Sequence, residues 1–319
     1  MEGKIKQRIK TKDHHTLFLV YACLAMGLGC SEKKPHVDPI PQASFPKIEP
    51  DRAFNEVKNF VALGPRDTGT VGAEKAAEYL LLRLKELNIS ADIDRFITKT
   101  PKGQTPLRNV VGSLPGRRKG LIIIGSHYDT KSGIGPDFEG ANDSGSSSGL
   151  LLEMARVLRK KPEMRPDILV AFFDGEECMV RYGQHDGFHG SRYMAKKLLE
   201  NGRAKEVVAV IILDMIGDRD LSVTIPRNGS STLISAVLEA AHKEGVRTKF
   251  ALVPFGIGDD HVPFLTAGMP AVDIIDFQYG SAPGKNDYWH TPEDRMDKIS
   301  EESLKIVGNT ILRVVYSLK

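Results

Sequence analysis

Apolar residues recur along this chain with two alternating periods, and the alternation predicts its architecture. Positions 73, 76, 77, 80, 84 and 87 (Ala, Ala, Ala, Leu, Leu, Leu) form a helical stripe from Thr70 to Leu87, with Asn88 as its stop. A shorter helix is predicted over Asp51 to Leu63, ahead of the turn Gly64-Pro65-Arg66. Strand-like segments follow at 89–98 and 107–114. Leu121-Ile-Ile-Ile-Gly125 is apolar at nearly every position, the mark of a strand covered on both faces. The same reasoning places buried strands at 168–173 and 207–213, and shorter ones near 221–225, 249–253 and 271–275. Helices are predicted at 145–160, 189–200, 230–244 and 300–318. In the last of these Ser300 is the expected N-cap, and Leu304, Val307, Ile311, Val314, Val315 and Leu318 share one face. Strands alternating with helices predict a single α/β domain whose mostly parallel, mixed central sheet is sandwiched by helices. In such sheets chemistry gathers at the carboxyl ends of the strands.

The first fifty residues follow a different pattern. Lys4, Lys6, Arg8, Lys10 and Lys12 precede an apolar run from Thr16 to Gly29, which is too short to span a bilayer. The run ends in Gly27-Leu-Gly-Cys30, which resembles a bacterial lipoprotein box with Cys30 as the lipidated residue. The expected organisation is a signal peptide over 1–29, a lipidated cysteine and Pro-rich tether over 30–50, and a catalytic domain over 51–319. The expected location is exported, periplasmic or on the outer membrane facing the periplasm or exterior, with membrane contact only through the lipid anchor. The formal charge of +3 comes from the leader, and without it basic and acidic residues balance. A nucleic-acid partner is therefore not expected. Three cysteines are too few for a cysteine-rich zinc site, and Cys178 is left without a partner once the leader is removed.

The candidate chemistry lies just after the predicted strands. Glu176 and Glu177 are adjacent carboxylates at the end of Ile168-Leu-Val-Ala-Phe-Phe-Asp-Gly. Like charges there repel unless a cation takes one of them, which leaves the other free to move protons. His127 and Asp129 form an H-x-D at a strand end, where the carboxylate is expected to orient the ring. Asp143 lies in a Gly-rich turn before a helix and reads either as a helix cap or as a metal ligand. Asp214 closes an apolar strand and needs a partner. His290 follows Trp289, and Asp259-Asp260-His261 opens a short helix. Each residue has an ordinary structural explanation, but together they supply the carboxylate and imidazole ligands of a catalytic zinc.

The ordered series His127-Tyr-Asp129, Gly140-Ala-Asn-Asp143-Ser, Asp174-Gly-Glu-Glu177, Leu213-Asp-Met-Ile-Gly217, Asp260-His-Val-Pro-Phe264 and Trp289-His-Thr291 resembles the zinc aminopeptidase superfamily. That superfamily includes the glutaminyl-peptide cyclotransferases. The resemblance runs from about residue 52 to the C-terminus. Phe172-Phe-Asp-Gly-Glu-Glu177, the long stretch from Cys178 to His189, Asp259 before Asp260-His261, and Trp289 are similar to the cyclase branch. For that branch the resemblance implies one zinc on Asp143, Glu177 and His290, with Glu176 as proton shuttle. Asp214 and Asp259 would form a hydrogen-bonded carboxylate network, and Trp289 and Tyr182 would be pocket walls. The implied reaction is cyclisation of an N-terminal glutamine, on peptide or protein N-termini, with loss of ammonia. The alternative branch is a dizinc aminopeptidase, in which His127 and Asp214 hold a second metal and Asp143 bridges the two. A peptide-binding lipoprotein on the same scaffold would be expected to have lost Glu176 or a ligand, and none is missing. The chain departs from the animal cyclases in three ways. Tyr182 stands where they carry Trp, their cysteine pair is absent, and the segment from Phe264 to Trp289 is longer.

Overall fold

The computed structural model describes residues 45–318. The signal peptide, Cys30 and most of the tether lie outside the described residues. Helix α1 (Pro50–Val61) and helix α2 (Val71–Glu86) come first, followed by a long hairpin of β1 (Ser90–Thr100) and β2 (Gly103–Leu114). The Thr70 side chain accepts a hydrogen bond from Ala73 N at 3.3 Å and caps α2, while Asn88 takes the left-handed conformation (φ 52°) just beyond its end. Because that cap satisfies a donor the helix cannot, Thr70→Ala should cost about 1 kcal/mol in urea unfolding with an unchanged m-value.

Strands β3 (Arg118–His127), β4 (Pro166–Phe173), β5 (Val207–Asp214) and β8 (Ala271–Ile275) run parallel, and β1 and β2 extend the sheet antiparallel beside β4. The order is β1-β2-β4-β3-β5-β8, the mixed sheet expected from the sequence. Side chains alternate between two cores with period 2. Ile122, Ile124, Ile168, Val170, Ile211 and Leu213 pack beneath α1, α2, α3 (Ser147–Leu158), α5 (Ser231–Lys243) and α7 (Glu301–Ser317). Leu121, Ile123, Ala171, Phe173, Val210 and Ile212 face α4 (His189–Glu200) and α6 (His261–Thr266).

Three details differ from the sequence reading. The short strands β6 (Val223–Pro226) and β7 (Phe250–Val253) pair with each other in a separate two-stranded sheet. Residues Ala141–Ser146 form a wider, kinked turn before α3, with non-helical angles at Asp143 and Ser144. Ser300 stands at the α7 N-cap position but makes no side-chain cap, and its backbone N–H bonds Gly217 O at 2.9 Å. The last two lie at the carboxyl end of the parallel strands, whereas β6 runs alongside β8, with Thr224 Oγ1 donating to Ile275 O and Ser230 N to Ala271 O.

Candidate active site

Parallel pairing brings the candidate residues to one rim. His127 ends β3 opposite Phe173, and Asp214 ends β5 opposite Ile275. After β4 the chain turns through Gly175 at φ +72°, a left-handed angle that glycine adopts without steric cost, and this turn delivers Glu176 and Glu177. His290 is held at φ +57° with Trp289 stacked on its ring at 3.9 Å. A non-glycine residue in that region is strained by about 1–2 kcal/mol, as is often seen where a side chain must point at a reaction centre.

The structure brings all five ligand-type residues together. His290 Nε2 lies 2.9 Å from Glu177 Oε1 and 3.3 Å from Asp143 Oδ2. His127 Nε2 lies 3.0 Å from Asp143 Oδ1 and 3.2 Å from Asp214 Oδ1. Asp143 therefore spans both groups and is not a helix cap. In each group one ring nitrogen faces two carboxylate oxygens, more anionic acceptors than its single proton can serve well. Two carboxylates and an imidazole within 4.8 Å of one another are a donor set that fits zinc. The residues that fit are Asp143, Glu177 and His290, with His127, Asp143 and Asp214 as a second possible set.

Burial and charge tune these groups against each other. Burial opposes a charged ring at His127, but Asp129, Asp143 and Asp214 outweigh it and hold its pKa well above the ordinary imidazole value. Burial also opposes ionisation of Asp143, yet His127 and His290 hold it below the usual carboxylate range. Glu177 is pushed up to about 7 by burial and by Asp143. Burial, with Glu177, Asp259 and Asp260 nearby, lifts Glu176 well above the usual range, although His127 pulls the other way. A carboxylate with a raised pKa can hold and release a proton near neutrality.

Residues singled out for one role prove to have another. The Asp129 carboxylate is not the principal partner of the His127 ring, from which it lies 3.6 Å, whereas the Asp129 carbonyl oxygen lies 3.1 Å from Nδ1. Its oxygens instead accept the backbone N–H groups of Glu176 and Glu177, both at 3.1 Å, and the Thr68 hydroxyl at 2.8 Å. Asp129 thus fixes how the two glutamates splay. Among the described residues no hydrogen bond joins Asp214 to Asp259. Asp214 bonds His127, and Asp259 Oδ1 accepts the backbone N–H of Asp260, with the Asp273 carboxyl facing Asp259. Asp273, on β8, was not singled out in the sequence. It is fully buried, none of its oxygens accepts a hydrogen bond from an N–H or hydroxyl, and burial with Asp259 and Asp214 nearby raises its pKa strongly. Burial and the neighbouring carboxylates favour a protonated Asp273 beside Asp259.

Two further residues hold the loops in place. Buried Arg66 donates to Tyr128 O at 3.0 Å and to Gly64 O, Glu139 O and Gly140 O at 3.1 Å, tying the His127 and Asp143 loops together. Asp294, four residues after His290, accepts Asn142 N at 2.7 Å and Asp143 N at 3.1 Å. The only sequence signals for these were an arginine in a Gly-Pro turn and an acid after Trp289-His290-Thr291.

Over this floor opens a cavity of about 310 Å³, walled by Tyr182, Phe255, Ile257, Phe277 and Trp289. The Tyr182 hydroxyl stands 3.4 Å from both Glu176 Oε2 and Glu177 Oε2, and its ring stacks on Phe188 at 4.7 Å. Trp289 and Tyr182 are where pocket walls were expected. Cys178 is buried and unpaired, and Lys131 Nζ reaches its carbonyl at 2.6 Å.

Known proteins are similar to this chain in sequence and fold. The family model described as peptidase family M28 matches residues 109–315. A glutaminyl-peptide cyclotransferase of Drosophila melanogaster is 28% identical over 260 residues, covering 74% of this chain and 72% of that protein. A solved glutaminyl cyclase from an Acidobacteriales bacterium is 33% identical with a TM-score of 0.81, covering 87% of this chain and 97% of the other. A solved Zn-dependent exopeptidase from Parabacteroides distasonis has 27% identity and a TM-score of 0.75, covering 86% and 100%. The chain belongs to peptidase family M28, in the zinc aminopeptidase-like superfamily, and is an enzyme of the type its glutaminyl cyclase relatives represent.

Proposed function

We propose that this protein is a zinc-dependent glutaminyl-peptide cyclotransferase with one zinc per chain, acting on peptide or protein N-termini. The observation that carries the reading is Glu176, which stands beside the ligand set without being part of it, on the floor of a cavity with aromatic walls. A zinc held by Asp143, Glu177 and His290 would polarise the γ-carbonyl of a bound glutamine. The substrate's own α-amine attacks that carbonyl carbon, and Glu176 accepts the proton the amine loses. Glu176 then returns the proton to the γ-amide nitrogen, the C–N bond breaks, and ammonia leaves as the lactam closes. The aromatic walls hold the flexible side chain folded back on its amine, which converts a floppy intramolecular reaction into an oriented one. Asp214, Asp259 and Asp273 form a buried acidic layer beneath, which keeps the proton on the Glu176 side.

A dizinc aminopeptidase is the second reading, supported by His127 Nε2 between the oxygens of Asp143 and Asp214. Assays on Gln-peptides and on amino-acid anilides, with metal analysis of the same sample, separate the two. One zinc with ammonia release supports cyclisation; two zincs with freed amino acids and no pyroglutamate overturn it. The same proposal includes export and lipid attachment at Cys30, tested by fatty-acid labelling of the wild type and Cys30→Ser in a bacterial host.

A further inference from the structure

We propose that Phe255 is a shelf at the cavity mouth that selects peptides with an apolar or aromatic second residue, an inference that rests on the cyclase reading. The cavity changes character along its depth. Glu176 and Asp259 on the floor are 5% and 2% exposed, while Phe255 is 55% exposed. A glutamine seated with its amine at Glu176 must lead its chain outward, and the next Cα lies only about 3.8 Å further on. The second side chain therefore arrives at the rim.

Phe255 differs from the other wall residues. Tyr182 stacks on Phe188, and Trp289 packs against Phe277 and His290, whereas Phe255 has no ring partner among the described residues. Isolated exposed apolar side chains are ordinary, but this one is continuous with an apolar mouth. Its backbone is also fixed in advance. Arg227 N donates to Phe255 O at 3.0 Å, the Asn228 amide donates to Ile257 O at 2.8 Å, and Ile257 N donates to Asn228 Oδ1 at 3.2 Å. A ring held in place before substrate arrives adds contact with little ordering cost. The carboxylates on the floor further disfavour an acidic second residue.

Because the contact is made equally in the ground and transition states, its effect belongs in KM and not in kcat. Wild-type kcat/KM for Gln-Phe-amide should exceed that for Gln-Gly-amide by about fivefold, the scale of one aromatic pair, with Gln-Glu-amide poorest. Phe255→Ala should bring the Phe/Gly ratio close to one through KM, Phe255→Trp should preserve it, and Asn228→Ala should reduce it. Calorimetric binding of the same peptides to the Glu176→Gln protein gives a readout independent of turnover. If no peptide is cyclised but the binding order persists and depends on Phe255, the cyclase reading fails and the shelf stands. A flat wild-type order, or an equal loss for all peptides in Phe255→Ala, overturns the shelf.

Discussion

Glu176→Gln should lower kcat for pyroglutamate formation by about 10²- to 10⁴-fold, the range typical of removing a positioned acid–base group, while zinc content stays at the wild-type level. The substitution is nearly isosteric and leaves in place everything that positions residue 176. The backbone N–H is held by Asp129 Oδ1 at 3.1 Å, Glu177 N is held by the other oxygen of the same carboxylate, and Tyr182 still closes over the pair. Only the ability to take and return a proton is lost. KM should change little, because the glutamine side chain still fits between Tyr182 and Trp289. Metal analysis beside steady-state kinetics checks this. Loss of zinc in the variant would show that Glu176 is itself a ligand, and the division of labour between the two glutamates would then be wrong.

Much of this site could be read from the chain because its residues stand where strand periodicity ends. His127, Glu176, Glu177 and Asp214 each follow an apolar run, and a polar group at such a place must face something polar. The strand segments of β1 and β2, the mostly parallel sheet and the helices covering it follow from the same alternation, whereas the antiparallel pairing of β1 and β2 came only with the structure. What stayed hidden depends on partners distant in sequence. Asp273 is enclosed in Ala271-Val-Asp-Ile-Ile275, an apolar run that satisfies the pattern of a buried strand; a carboxylate inside it was the available signal. The work of Asp129 could not be inferred from its spacing to His127, because its bonds go to backbone groups 47 and 48 residues away. Phe255 lay in a predicted loop, where nothing local says whether an exposed ring faces solvent or the mouth of a site. The two strands β6 and β7 were found, but short apolar runs do not state which sheet they join.

Removing the metal should abolish cyclisation and leave a protein whose stability falls as pH rises from about 5 to about 9. The sign follows from the groups that would hold the ion. Glu177 is raised from 4.5 to about 7 by burial and by Asp143, so its contribution is present below 4.5 and lost as pH climbs through 7. Asp214, raised from 3.8 to about 7 mainly by burial, behaves likewise. At His290 burial opposes the charge, but Asp143 and Glu177 overcome it and lift the pKa from 6.5 to about 9; its contribution is present below 6.5 and lost through 9. Asp143 is held below its ordinary value, so its contribution disappears only on the acid side, outside this window. Each of these ligand groups that titrates between 5 and 9 therefore favours the lower pH, opposed below about 6.5 by His261, which burial lowers to about 4, and by His189, which burial also lowers. A bound cation replaces the protons on its own ligands and weakens the dependence, while Asp276 and Asp294, each raised to about 7 mainly by burial, keep theirs. Chelator-treated protein should melt about 5 °C or more lower at pH 9 than at pH 5, and one equivalent of zinc should restore activity and make the profile less steep. Asp143→Ala, which takes a carboxylate from both ligand groups, should lose zinc and turnover together. A chelated protein whose melting temperature is independent of pH would mean that these carboxylates are satisfied without a metal.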